Sequence, residues 1–289
     1  MNQLHNIHFT TLVDNTARGD LKAEHGFSCL VETDTHRVLF DTGADDALLK
    51  NSVSLGVELN ELDALVFSHG HYDHTGGLGA ICDHLGLLSV FAHPNIIGPH
   101  RSRRTGHDRD IGTPKASRVA LDLLHCAYLN SAVEVADGIW TTGEIQRATT
   151  DAHSNELWID TAGMLPDRVA DDMALVLRHQ AGLVVLLGCA HAGVLDTLAH
   201  VERLFPGEPL LGVIGGMHLY DASISTINTV IAGLRSRSPL FVAPGHCTGA
   251  VATQALLDVF GHRCIPLYAG KQLHLGGSGV IKVTAELEP

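Results

Sequence analysis

Six consecutive residues, His69-Gly70-His71-Tyr72-Asp73-His74, constrain this chain more than any other stretch. Three imidazoles and a carboxylate held this close are costly to fold around unless they bind something. The apolar run Ala64-Leu65-Val66-Phe67 leads in, and Thr75-Gly76-Gly77-Leu78, where a helix is expected to start, leads out. The side chains therefore sit on a tight loop at the end of a strand, where they can converge on one point. Imidazole together with carboxylate suits borderline cations such as Zn²⁺, Fe²⁺ or Mn²⁺. A surface loop that is merely rich in His is the weaker reading, because few clusters this dense serve no metal.

Short apolar strands alternate with helical stretches along the chain. Strands are expected at 7–13, 27–33, 37–40, 64–67 and 87–92, and again at 173–179, 183–188, 210–214, 240–243, 265–268 and 280–284. Helices are expected at 44–55, 76–85, 116–125, 193–204, 223–236 and 249–260. Val194, Leu195, Leu198 and Val201 form one apolar face at helical spacing; Ile224, Ile227, Val230, Ile231 and Leu234 form another. Such alternation argues for an α/β layered architecture. With 289 residues, 45% of them apolar, the chain is long enough for one large core or two packed half-domains. Residues 93 to 118 carry Pro94, Gly98, Pro99, Gly106, Gly112 and Pro114 and are the least regular stretch. They read as a loop or lid near the site.

More motifs follow other strands. Asp41-Thr42-Gly43 follows Val38-Leu39-Phe40, Gly188-Cys189-Ala190-His191-Ala192-Gly193 follows the strand ending at Leu187, and Pro244-Gly245-His246-Cys247-Thr248-Gly249 follows the strand ending at Ala243. Together with His-x-His-x-Asp-His this order resembles the metallo-β-lactamase superfamily. Val13-Asp14-Asn15-Thr16, Glu24-His25-Gly26 and Gly215-Gly216-Met217-His218-Leu219 make it similar to one branch, the dihydropterin–ribofuranosylaminobenzene phosphate synthase-like subgroup. The resemblance spans roughly residues 7 to 270. It implies an α/β fold of the four-layer αββα sandwich type, one domain over residues 1–289, with the site on the sheet edges.

The same resemblance implies two divalent metal ions, zinc by preference, with iron or manganese as alternatives. His69, His71 and His191 would hold one; Asp73, His74 and His246 would hold the second. Superfamily members place an Asp or Cys at the end of the strand that Gly188-Cys189 terminates. Cys189 stands there, and its thiolate would favour zinc. Asp172 is the rival. The strands 173–179 and 183–188 read as a hairpin, which sets Asp172 beside Cys189. A carboxylate bridges two metals more readily than a thiol next to a ligating His, so Asp172 is the favoured bridge. Asp41 is expected to support the metal loop through hydrogen bonds. Catalytic roles are expected for Asp73 and for His218, which follows the strand 210–214. Arg101, Arg103 and Arg104, with Arg109, form a basic cluster that could hold phosphate or carboxylate.

The formal charge of −13 disfavours a nuclease, because an acidic surface repels phosphodiester backbones. No apolar run approaches the roughly 18 residues of a membrane span, and the N-terminus does not read as a signal peptide. Six scattered cysteines without a C-x-x-C pair suggest a reduced, cytoplasmic setting. His5, His84, His125 and His262 read as plain surface residues. The expected function is a dinuclear metal hydrolase acting on a small phosphorylated or cyclic-ester substrate through a metal-activated water. Alternatives are a transferase of the dihydropterin type and a non-catalytic metal-binding sensor. Expected partners are a small-molecule substrate, no nucleic acid and no membrane; self-association into a homo-oligomer stays open.

Overall fold

Every residue of the strands Ala174–His179 and Gly182–Leu187 is buried, as expected of strands covered on both faces. The computed structural model describes residues 3–148 and 156–285. Its first half runs β1 (Ile7–Val13), β2 (Ser28–Thr33), β3 (Arg37–Phe40), α1 (Ala47–Leu55), β4 (Ala64–Val66), α2 (Tyr72–Thr75), α3 (Leu78–Ile81), β5 (Ser89–Ala92), β6 (Arg101–Ser102), β7 (Arg109–Asp110), α4 (Lys115–Leu123) and β8 (Ala127–Tyr128). The second runs β9 (Ser131–Ala136), β10 (Ile139–Gly143), β11 (Leu157–Trp158), β12 (Ala174–His179), β13 (Gly182–Leu187), α5 (Val194–Leu204), β14 (Leu210–Gly216), α6 (Ile224–Arg237), β15 (Phe241–Gly245), α7 (Ala250–Phe260), β16 (Gln272–Leu275) and β17 (Ile281–Ala285).

The strands form an eight-stranded sheet, β17-β16-β1-β2-β3-β4-β5-β8, and a six-stranded sheet, β15-β14-β13-β12-β10-β9. Phe9, Phe40 and Val66 from the first meet Leu177, Leu186 and Phe241 from the second in a core between the sheets. Leu198, Ile227, Leu234 and Leu256 pack α5, α6 and α7 on the other face of the second sheet. Leu48, Leu78, Ile81 and Leu121 do the same for α1, α3 and α4 on the first. The result is the four-layer αββα sandwich. Strands β3, β4 and β5 are parallel, as are β13, β14 and β15. Ligand sites in such sheets collect beyond the carboxyl ends of the strands, and the His-bearing loops follow β4, β13, β14 and β15.

Three expectations change. The segment 265–268 is not a ladder strand; Ile265 N and Leu267 N donate to Val242 and Pro244, but Pro266 between them has no N–H to offer. The helix expected over 76–85 begins earlier, at Tyr72, and is broken after Thr75. There the chain runs so close to its neighbour that a Cβ on Gly76 would lie 2.0 Å from the Ala44 carbonyl. The irregular stretch 93–118 holds β6 and β7, which pair with β11 into a separate three-stranded sheet. Strands β9 and β10 and the strand β16 were not anticipated. Among the described residues no helix is long and apolar enough to cross a membrane.

Candidate metal centre

The loop after β4 is held from below by Asp41, which follows β3. Asp41 Oδ1 accepts from Ser68 N at 2.7 Å, and Oδ2 accepts from Ser68 Oγ at 2.6 Å and His74 Nδ1 at 2.7 Å. A carboxylate only accepts, so His74 Nδ1 carries the ring proton and Nε2 presents a lone pair. That Nε2 lies 3.1 Å from Cys189 Sγ and 3.2 Å from His246 Nε2. Ser68 Oγ, having given its proton to Asp41, accepts from His69 Nδ1 at 2.8 Å, which frees His69 Nε2 in turn. His69 Nε2 stands 3.1 Å from His71 Nδ1. The turn is fixed by Gly70 N, which donates to Asp171 Oδ2 at 2.6 Å.

Distant loops complete the set. The His191 ring lies 4.7 Å from that of His69 and 4.8 Å from that of His71. The His246 N–H donates to Asp14 Oδ2 at 2.8 Å, and its Nδ1 faces Asn15 Oδ1 at 3.1 Å, leaving Nε2 toward the centre. Asp73 Oδ2 is 3.5 Å from His246 Nε2 and 3.8 Å from His74 Nε2. His25 Nε2 approaches the same oxygen at 3.3 Å. The fold thus gathers His69, His71 and His191 on one side and Asp73, His74 and His246 on the other. Asp41, Ala190, His218 and His246 all have positive φ, at 61°, 58°, 49° and 48°. For residues other than glycine this costs energy, and it collects where a site needs it.

Cys189 lies between the two sides. Its Sγ is within 4.8 Å of donors on His69 and His191, and likewise of donors on His74 and His246. Asp172 is not in any converging donor group among the described residues; its Oδ2 accepts from Ala192 N at 2.7 Å. The hairpin does set Asp172 near Cys189, but its carboxylate is turned to the backbone beside His191. The expected bridge is therefore corrected: geometry puts the thiol in the middle and gives Asp172 the task of pinning the His191 loop. Burial pushes the Asp172 carboxyl up to about 7.

Burial, followed by the crowding of neighbouring imidazoles, pushes His69, His71 and His191 well below the usual histidine range. All three are neutral and offer lone pairs. Burial raises the Asp73 carboxyl, but the nearby imidazoles of His74, His246 and His71 outweigh it and hold the group below the ordinary carboxylate range. Burial acts to lower His246, yet Cys247 and Asp73 beside it carry it up to about 9. Two further features test whether cations fit. Nε2 of His71 and Nε2 of His191 are buried without a hydrogen-bond partner. His69 Nε2 and His71 Nδ1 lie 3.1 Å apart, where one cation could replace the hydrogen bond between them. Buried polar atoms left unpaired are costly, so this donor set fits bound metal.

A cavity of about 370 Å³ opens above the centre, lined in part by His25, Tyr72, Arg104, Arg109, His218 and Tyr220. Of the three arginines expected to bind substrate, the structure brings only Arg104 to it. Arg104 lies over the Tyr220 ring at 4.8 Å and pairs with Asp221 at 3.3 Å and Glu156 at 3.5 Å. Arg101 is spent on Asp108, with contacts of 2.8 and 2.6 Å, and Arg103 donates to the Thr161 carbonyl. Arg109 lines the cavity too, 5.9 Å from the Tyr72 ring. His5, His84, His125 and His262 are exposed, as expected. Sequence reading assigned no role to Asp14, Asn15, Ser68 or Asp171, which position the candidate ligands by hydrogen bonds. Short polar residues next to ligand-bearing strands are the signal that could have found them.

A family model described as the metallo-β-lactamase superfamily matches residues 21–110. A 7,8-dihydropterin-6-methyl-4-(β-D-ribofuranosyl)-aminobenzene-5'-phosphate synthase of Methanocaldococcus jannaschii is 27% identical over 281 residues, covering 92% of this chain and 96% of its own. An uncharacterized protein of the same organism is 29% identical over 259 residues, covering 87% and 96%. A solved structure described as a metal-dependent hydrolase of the β-lactamase superfamily matches with a TM-score of 0.81 at 28% identity, over 93% of this chain and 99% of that one. Zn²⁺-bound PqqB from Methylobacterium extorquens, at 12% identity and a TM-score of 0.56, shares the fold.

Proposed function

The chain belongs to the metallo-β-lactamase superfamily, and from that premise we propose that it is a metal-dependent hydrolase of a small anionic ester. One observation carries the reading: two clusters of buried ligand-type side chains meet at Cys189, on the floor of a cavity that Arg104 and Arg109 line. His69, His71 and His191 would hold one cation; Asp73, His74 and His246 would hold the second; Cys189 would contact both. Cations held there would supply an acidified water and stabilisation of charge on an attacked oxygen.

The chain's own residues supply the rest. Asp41 and Asn15 fix the tautomers of His74 and His246, so that Nε2 of each is free to bind. Arg104 and Arg109 attract the anionic part of the substrate. Arg104 is held by Asp221 and Glu156, which keep its guanidinium at the cavity wall. Tyr72 and Tyr220 add aromatic surface to the cavity wall. His218 has both ring nitrogens buried and unpartnered, and its ring lies 4.4 Å from that of His191. With neither nitrogen bound to a cation, it is placed to hold or deliver a proton at the leaving group. A cavity of about 370 Å³ suits a compact substrate.

A second reading has its own support. The 27% identity to the synthase extends over 92% of this chain, so a transferase reaction, with a hydroxyl or amine of an acceptor in place of water, is the rival to hydrolysis. The test is a metal-loaded sample offered chromogenic phosphodiesters and lactones on one hand and the synthase's substrates on the other. Turnover of the esters supports the hydrolase. Product formation by synthesis alone moves the assignment to a transferase. Efficient cleavage of RNA with no action on any small ester refutes both.

A further inference from the structure

We propose that Cys189, Cys247 and His218 form a cation position of their own, a set of two sulfurs and one nitrogen for a thiophilic ion such as Zn²⁺ or Cd²⁺. The three residues follow β13, β15 and β14, parallel strands that lie side by side. Their ligand atoms lie within 4.8 Å of one another. Tetrahedral zinc with sulfur bonds of about 2.3 Å separates two sulfurs by about 3.8 Å, so a small closure completes the geometry.

The surroundings are built for this. Gly216 leaves the room that the Cys247 thiol occupies: a Cβ there would stand 2.7 Å from Cys247 Sγ and 2.3 Å from the Gly188 carbonyl. The His218 N–H donates to Cys247 Sγ at 3.2 Å, fixing the thiol against the loop that carries the imidazole. Nδ1 and Nε2 of that imidazole are both buried and unpartnered, an arrangement that costs free energy unless something binds them. Cys247 and His218 belong to neither histidine cluster. All three residues line the cavity, so a fourth ligand position faces open space. Two sulfurs set this position apart from the histidine clusters beside it, which have only the shared Cys189 sulfur among nitrogen and oxygen donors. A thiophilic ion prefers it, and Mn²⁺ does not.

The test uses the metal-free, reduced full chain under argon, with Cd²⁺ and Mn²⁺ as probes. The first readout needs no variant: the rate at which iodoacetamide alkylates Cys247, followed by peptide mass spectrometry. Cd²⁺ should slow it by about tenfold or more, as expected for a thiolate bound to metal, while Mn²⁺ leaves it unchanged. The second is thiolate-to-cadmium charge-transfer absorbance, of which Cys247→Ser should lose roughly half, one of two thiolates, together with one bound Cd²⁺. His71→Ala removes a ligand of the histidine cluster and should stop turnover while Cd²⁺ still protects Cys247. The proposed enzyme activity and this site therefore fail separately. Unchanged alkylation at saturating Cd²⁺ overturns the proposal. So does protection that disappears in His71→Ala, which would mean shielding by ions bound elsewhere.

Discussion

Asp41→Asn isolates what one buried carboxylate does for the metal centre. Asn tolerates left-handed backbone at least as well as Asp, so the φ of 61° adds no cost. The hydrogen bond from Ser28 Oγ to the Asp41 carbonyl, at 2.8 Å, is untouched. What changes is the charge. Three bonds, from Ser68 N, Ser68 Oγ and His74 Nδ1, now end on a carboxylate. Charge-assisted bonds exceed neutral ones by about 1 kcal/mol each, so the metal-free fold should lose about 3 kcal/mol. The larger consequence is at His74. An amide nitrogen at the Oδ2 position donates to Nδ1 and drives the ring proton to Nε2, the atom that faces Cys189 and His246. Loss of such a partner weakens metal binding by about 10- to 100-fold, or about 1.4 to 2.8 kcal/mol. Urea unfolding of the metal-free protein measures the first effect, and competition with a chromogenic chelator measures the second. If Asp41→Asn unfolds more easily but binds Zn²⁺ within about twofold of wild type, the tautomer argument is wrong.

Purified protein offered Mn²⁺, which does not take the sulfur-rich position, should reconstitute close to two cations per chain by elemental analysis, and His71→Ala should empty at least one position. Cys189→Ser should lower cation affinity by about tenfold or more, while Asp172→Asn, which keeps an oxygen for Ala192 N, should leave it near wild type; the reverse pattern would restore the carboxylate as bridge. Arg104→Ala should raise KM for an anionic ester with little change in kcat, whereas Arg101→Ala, whose partner is Asp108, should change neither. His246, carried up to about 9 without metal, is protonated at pH 7 and must lose that proton to ligate. Cation uptake followed by calorimetry in buffers of different ionisation enthalpy should therefore release protons and tighten as pH rises from about 7 to about 9.

The strands that build the two sheets were legible because their hydrophobicity is continuous. Val38-Leu39-Phe40 and Leu183 to Leu187 are covered on both faces and admit no other reading. The six clustered ligand-type residues could be named as candidates because their loops follow such strands and their motifs resemble those of a known family. The bridge was misjudged because hairpin pairing fixes which residues are neighbours but not where a side chain turns. Asp172 is beside Cys189, yet the free N–H of Ala192 claims its carboxylate. The arginines were misjudged for a similar reason. Residues 101 to 104 lie largely on a two-residue strand and the turn after it, so successive side chains diverge, and Asp108 and the Thr161 carbonyl capture two of them. Ser131–Ala136 and Ile139–Gly143 did carry a signal, the Asp137-Gly138 pair between them, which marks a tight hairpin. Gln272–Leu275 is strand only because β1 offers it an edge, and short segments of that kind depend on partners far away in sequence.

The small sheet of β6, β7 and β11 pairs with neither large sheet. It meets the metal loop through few backbone contacts, such as Tyr72 N to the Ile111 carbonyl at 2.8 Å. The floor and the roof of the cavity are thus separate pieces of architecture. Changes in length or sequence around residues 101–110 and 157–158 alter what enters without shifting the register of the strands that aim the histidines. A lineage can explore new substrates by rebuilding its roof while the same chemistry is kept underneath. An engineer can exchange that roof as one cassette between relatives of this fold.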